Sequence, residues 1–147
     1  MQITPIQQPQ ISFTADLKRL FDKGLLPEVK KGFYGTDLSI GTVSREHLLP
    51  KCKGGTRCEA NIVLADRFLN NTRGSQPIWK VADPEQAVEY LEQFKGINVP
   101  SHEFSGNKYI VKVFHTLKRL GLDLTEQFKE HGLDEVVKKT KHIDYRV

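Results

Sequence analysis

Apolar residues spaced three and four positions apart recur along most of the chain, which is typical of helices with one buried face. The clearest case covers 108–120, where large apolar side chains share one face and Gly121 follows as a terminator. Another begins at Asp83-Pro84, a capping residue followed by proline at the first helical position, and ends at Gly96. The pattern therefore predicts a largely helical second half.

Shorter stretches follow the same spacing and end in the same way. A first helix is predicted over Thr14 to Lys23, before Gly24, and another over Leu64 to Thr72, before Gly74. Two further helical pieces are predicted near 125–131 and 133–141.

One segment departs from helical spacing. The residues GFYGTDLSIGTVSREHLLP, 32–50, combine aromatic and β-branched residues with glycines that mark bends. They predict a two-stranded hairpin over roughly 33–48 as the only sheet. We therefore expect one α+β domain over 1–147 in which helices dominate. Its expected parts are an arm and helix at 1–32, a central motif at about 33–75, and an accessory helical region at 76–147.

Composition narrows the class of protein. The chain has 147 residues and two cysteines, and no run approaches the roughly 20 apolar residues of a membrane helix. Cys52 and Cys58 cannot form a disulfide scaffold or a four-cysteine zinc site. The first ten residues show neither the basic start nor the apolar core of a secretory signal. We expect a cytoplasmic protein with no membrane partner.

Charge is concentrated in one window. The net charge is +4, and residues 45–74 account for +3 of it, with six Lys and Arg against three Asp and Glu. A local basic patch is the usual electrostatic feature of nucleic-acid binding. A solvated surface patch is the alternative that charge alone leaves open.

The same window contains a possible reactive site, within EHLLPKCKGGTRCEANIVLADRFLNNTRG, 46–74. Glu46 and Asn70 offer one carboxylate and one amide oxygen, a sparse donor set that suits Mg²⁺ or Mn²⁺. His47 has the pKa range needed to activate water at neutral pH. Nearby arginines could hold phosphate groups. Together these groups predict metal-assisted hydrolysis of a phosphodiester.

The run also resembles the HNH endonuclease superfamily in its HNN form, of the small phage or mobile-element type. An acidic residue and histidine, a proline, a Gly-Gly turn, a middle asparagine and a final asparagine before Arg-Gly occur in that order. The step of nine residues from Asn61 to Asn70 is the usual one for the family. The likeness covers about 30 of the 147 residues. It implies a ββα-metal fold for the motif and DNA cleavage as the activity.

The resemblance also implies roles for individual residues. His47 would be the general base, while Glu46 and Asn70 would bind one Mg²⁺ or Mn²⁺. Asn61 would either orient His47 or brace the loop through backbone hydrogen bonds. Charge and proximity, rather than the family, add five candidate nucleic-acid contacts, which are Arg45, Lys51, Lys53, Arg67 and Arg73.

Some features depart from the family pattern. Glutamate replaces the commoner aspartate, and the CxxxxxC spacing of Cys52 and Cys58 differs from the paired CxxC motifs of many relatives, so no structural zinc is expected. Two rival functions remain open. One is a catalytically silent nucleic-acid-binding module that keeps the ββα fold. The other is a protein whose helical second half binds a partner enzyme that supplies specificity.

Overall fold

The structure is a computed structural model, and it describes residues 16–140. The predicted N-terminal arm, the start of the first predicted helix and the chain beyond 140 lie outside this range. The described helices and strands, in chain order, are α1 Leu17–Asp22, β1 Val43–His47, β2 Ile62–Asp66, α2 Arg67–Arg73, α3 Ile78–Val81, α4 Pro84–Glu92, β3 Asn98–Val99, β4 Phe104–Ser105, α5 Gly106–Arg119, α6 Thr125–Glu130 and α7 Asp134–Lys139. Short 3-10 turns cover Lys51–Lys53, Glu59–Asn61 and Pro100–His102. The predicted mixed α+β class with helices dominant is confirmed.

The main sheet is an antiparallel pair, β1 with β2, in a register that runs from Val43 opposite Asp66 to His47 opposite Ile62. The predicted hairpin over 33–48 is therefore wrong, since that range contains only one of the two strands. Gly35, with φ of +89°, instead turns the chain back after Phe33. The loop from 48 to 61 separates the paired strands. The spacing of apolar residues within a short segment therefore could not reveal which strands pair.

The second strand was missed because β2 is buried on both sides. Ile62, Val63, Leu64 and Ala65 are all at most 4% exposed. A continuous apolar run of this kind lacks the alternation of a half-buried strand, and it also fits a helix. The predicted helix start at Leu64 is therefore wrong. The helix begins at Arg67, because the carboxylate of Asp66 caps it by accepting hydrogen bonds from the amides of Phe68 and Leu69.

The other predicted helices are present with shifted ends. Asp83 caps α4 by accepting from the amide of Gln86 at 2.9 Å, and Ser105 caps α5 by accepting from the amide of Lys108 at 3.3 Å. The stretch between the predicted helices that end at Gly96 and begin at 108 contains the two-residue strands β3 and β4, so the predicted hairpin would not have been the only sheet. Among the described helices, none combines the length and the apolar character needed to cross a bilayer.

Two buried tyrosines, on α4 and α5, form hydrogen bonds to strand β2 of the main sheet. Tyr109 donates a hydrogen bond to the carbonyl of Ile62 at 2.7 Å, and the amide of Leu64 donates to the Tyr90 hydroxyl at 2.9 Å. The two hydroxyls are 3.0 Å apart. These bonds satisfy polar groups of β2 that face away from β1. Helices α4 and α5 thus close the second edge of the sheet.

Candidate functional site

Helix α2 packs against β1 through polar side chains. The Asn70 amide nitrogen donates to Ser44 Oγ at 3.1 Å and to the carbonyl of Arg45 at 3.0 Å. Arg73, three residues further along the helix, donates to the carbonyl of His47 at 2.6 Å. Residues three apart share a helix face, so one side of α2 is fixed along the strand that carries Glu46 and His47. Phe68 on the same helix does not take part in this packing, since it is 62% exposed.

Glu46 lies in the interior between β1 and α2, with its side chain 3% exposed. One carboxylate oxygen accepts a 2.5 Å hydrogen bond from the Tyr34 hydroxyl. The other lies 3.3 Å from a guanidinium nitrogen of Arg73. Burial raises the pKa of Glu46, and the contacts with Tyr34 and Arg73 oppose that rise. Both oxygens of this predicted metal ligand therefore already have protein partners.

Arg73 is a buried structural residue. Its side chain is 2% exposed. Besides contacting Glu46 and the carbonyl of His47, it donates to the carbonyls of Leu48 and Gln76, each at 2.8 Å. The prediction that Arg73 contacts phosphate does not fit this position, because its donors are buried and face protein oxygens.

His47 ends β1, and one atom of its ring is unusual. Nε2 is buried and has no hydrogen-bond partner among residues 16–140. Burial lowers the pKa of His47, and the positive charges of Lys51 and Arg57 lower it further. The ring is therefore uncharged near neutral pH. A buried polar atom without a partner is rare in folded proteins, and one explanation is a bound group that fills the site in use.

Asn61 braces the loop that joins the two strands. Its amide oxygen accepts from the amide of Leu49 at 2.8 Å, and its nitrogen donates to the carbonyls of Leu49 and Thr56 at 3.1 and 2.9 Å. Of the two roles considered for Asn61, the structure shows this one. Gly55 is needed in the same loop, because a Cβ there would lie 1.7 Å from the Leu49 oxygen.

The remaining candidate contacts differ in exposure. Lys51, Lys53 and Arg67 are exposed, as a contact with nucleic acid would require. Arg45 instead holds Asp16 through two hydrogen bonds, of 3.1 and 2.7 Å. Arg57, which was not among the candidates, is exposed. It lies close enough for its positive charge to lower the pKa of both His47 and Asp16.

Sequence reasoning missed Arg57 and Tyr34. Arg57 was visible only as one of the six basic residues of the window. Tyr34 had no signal, since it lies 12 residues before Glu46 and joins it only through the fold.

The donor chemistry of Glu46 and Asn70 fits a divalent cation. The Asn70 nitrogen faces β1, and within 16–140 no hydrogen bond uses its amide oxygen, so that oxygen is available as a ligand. Carboxylate and amide oxygens are hard ligands of the kind Mg²⁺ and Mn²⁺ prefer. Groups of three or more His, Cys, Asp or Glu able to hold a metal do not occur in the described part of the chain. Any cation here would need Asn70, water or substrate as further ligands.

Comparisons of the chain with protein-family models, with curated proteins and with solved structures found no match. What the site can do is therefore judged from its own residues.

Proposed function

We propose that this protein is an HNH-type, metal-dependent endonuclease that hydrolyses DNA phosphodiester bonds. The observation that carries the proposal is the environment of His47, whose Nε2 is buried without a partner among the described residues while cationic side chains surround the ring. An uncharged imidazole can take a proton from water, and neighbouring cations favour a bound phosphate.

The order of elements supports the resemblance to the HNH superfamily. Two antiparallel strands are followed directly by a helix, with His47 at the end of the first strand and Asn70 on the helix. Asn61 stands where the loop enters the second strand. This arrangement of strand, loop, strand and helix sets Asn70 against Arg45, two residues before His47, although the helix and the first strand are far apart in sequence.

Each residue has a distinct task in the proposed reaction. His47 accepts the proton of the attacking water, and its low pKa keeps it able to do so at neutral pH. Lys51 and Arg57 attract and orient the phosphate through their charge. Asn61 keeps the loop that carries Lys51 in one conformation. Glu46 and Asn70 would hold a divalent cation, which supplies positive charge to stabilise the phosphate oxygens in the transition state.

The first prediction tests the role of His47. Cleavage of plasmid DNA in Mg²⁺ or Mn²⁺ should fall about 100-fold or more in His47→Ala, since a positioned general base contributes at least that factor. His102→Ala is the matched control and should cleave like wild type, because His102 lies in the turn between β3 and β4. Equal activity of wild type and His47→Ala would exclude the proposed mechanism.

One observation favours a second candidate function, a nucleic-acid-binding module without turnover. Both oxygens of Glu46 are held by Tyr34 and Arg73, which is the arrangement of a structural ion pair. Titration with Mn²⁺ in the presence of DNA separates the two functions. DNA binding without any Mn²⁺ binding would favour the module, whereas metal binding that requires Asn70 would favour the enzyme.

A further inference from the structure

Backbone hydrogen bonds on either side of Tyr34 hold its hydroxyl next to Glu46. The amide of Phe33 donates to the carbonyl of Leu64 on β2 at 2.9 Å, which anchors this segment to the sheet. The next turn closes when the amide of Gly35 donates to the carbonyl of Gly32 at 3.0 Å. Tyr34 lies between the two residues that make these bonds, so the position of its backbone is fixed. Its 2.5 Å hydrogen bond to Glu46 is thus built into the fold.

In the cluster of Tyr34, Glu46 and Arg73, the side chains differ in how many other hydrogen-bond partners they have. Arg73 has carbonyl acceptors at His47, Leu48 and Gln76, so it remains hydrogen-bonded if Glu46 turns away. Among side chains, Glu46 contacts Tyr34 and, at the longer distance of 3.3 Å, Arg73, and the backbone of His47 also interacts with its carboxylate. The Tyr34 hydrogen bond is therefore the shorter of the two side-chain contacts that hold the carboxylate in the interior.

We propose that Tyr34 is a latch that holds the Glu46 carboxylate away from a divalent cation, so that the cation binds only after displacing the Tyr34 hydroxyl. This inference rests on the proposed function, since it concerns the same carboxylate. It assigns to Tyr34 a positioning role that the sequence motif does not include. Because the cation and Tyr34 compete for one carboxylate, each weakens the binding of the other.

Most substitutions near a metal site lower its affinity for the metal, whereas the latch predicts that Tyr34→Phe raises it. Removing the hydroxyl in Tyr34→Phe destabilises the metal-free state, in which Glu46 loses the shorter of its two side-chain contacts, more than the metal-bound state, in which that contact is already broken. Mn²⁺ affinity should therefore rise about tenfold, since a hydrogen bond to a charged group is worth at least that factor. The melting temperature should fall without metal and recover when Mn²⁺ is added.

The experiment measures bound Mn²⁺ by electron paramagnetic resonance, with a short DNA duplex present and in a His47→Ala background that keeps the DNA intact. Tyr109→Phe is the matched control, because it removes a buried tyrosine hydroxyl that bonds to Ile62 rather than to Glu46. It should lower the melting temperature equally with and without metal and leave Mn²⁺ affinity unchanged. In the wild-type chain, Mg²⁺ should also shift the ring resonances of Tyr34 in NMR spectra.

The outcomes separate the latch from the proposed function. Tighter Mn²⁺ binding in Tyr34→Phe, or binding that appears only in that variant, supports the latch. Equal or weaker binding overturns it, while DNA cleavage lost in His47→Ala would leave the proposed function standing. No Mn²⁺ binding in either protein overturns both the latch and the metal dependence.

Discussion

At the scale of single residues, Asn61 and His47 differ in whether their polar side-chain atoms have hydrogen-bond partners. Asn61 is fully buried, and every hydrogen bond of its side chain goes to backbone groups of the loop between β1 and β2. His47 has a buried ring nitrogen with no partner in the described range. The first residue is therefore tied to stability, and the second is available for chemistry.

Asn61→Ala should lower the free energy of unfolding by about 2–4 kcal/mol, because it leaves backbone groups of Leu49 and Thr56 without partners. Urea unfolding measures the change. Asn71→Ala is the control, since Asn71 is exposed on α2, and it should change the free energy by less than about 0.5 kcal/mol. An equal effect of the two substitutions would contradict the bracing role.

The pH dependence of cleavage should reflect His47. Its pKa is lowered by burial and by nearby positive charges, and a general base works only when unprotonated. Activity should therefore persist as pH falls below the ordinary histidine pKa of about 6.5 and be lost at lower pH. A profile of single-turnover rate against pH measures this limb. Arg57→Gln removes one of the charges and should move the limb toward higher pH, whereas Lys95→Gln should not.

At the scale of elements, His131 connects two helices that are distant in sequence. It follows α6, and its ring nitrogens lie 2.5 Å from Glu85 and 3.0 Å from Glu92, both on α4. The hydrogen bond to Glu85 is the main cause of a raised pKa for His131. A charged imidazole can donate to both carboxylates, so the contact between α4 and α6 should depend on pH.

His131→Gln tests this contact. Because the folded-state pKa is raised, the stabilisation is fully present below the unfolded value of about 6.5 and is lost as pH rises through the folded value. Wild type should exceed the variant in stability at pH 5.5 by up to about 1 kcal/mol, since both carboxylates are half exposed, and by less at pH 8.5. Thermal unfolding at both pH values measures the difference. A constant gap would exclude protonation as its cause.

At the scale of the whole molecule, folding changes which charges can meet a ligand. The window 45–74 carries +3 of the net +4, but its buried charges have partners, Arg73 with Glu46 and Glu59 with Lys112 of α5. The exposed basic side chains of the window are Lys51, Lys53, Arg57 and Arg67. Three of these lie in the loop before β2, so the proposed DNA-binding surface is centred on that loop.

Replacing Lys51 and Lys53 together by Gln should weaken DNA binding about equally for all sequences. It should also reduce the slope of log affinity against log salt by about 1 for each phosphate group that no longer has a lysine beside it. Fluorescence anisotropy at several salt concentrations measures both quantities. Lys95→Gln with Lys129→Gln is the charge-matched control, since both lysines are exposed outside the window, and an equal weakening there would show that only net charge matters.

The sequence by itself determined the elements whose signals are local. The cap at Asp83 marked the helix near 84–92, because a capping side chain bonds to amides only a few residues away, and apolar spacing with a terminal glycine marked the helix near 106–119. The same held for the order of Glu46, His47, Asn61 and Asn70. Residue types at fixed spacings were enough to place those four residues in one window.

Only the tertiary structure decided which strands pair and which charged residues are exposed. The second half of β2 was predicted as the start of a helix, and it is part of a strand because β2 pairs with β1 and because Tyr90 and Tyr109 satisfy its second edge. Arg73 and Tyr34 join Glu46 for the same reason, through contacts across the fold. A buried apolar run or a charged side chain carries no local sign of its partner, because the partner comes from a distant part of the chain.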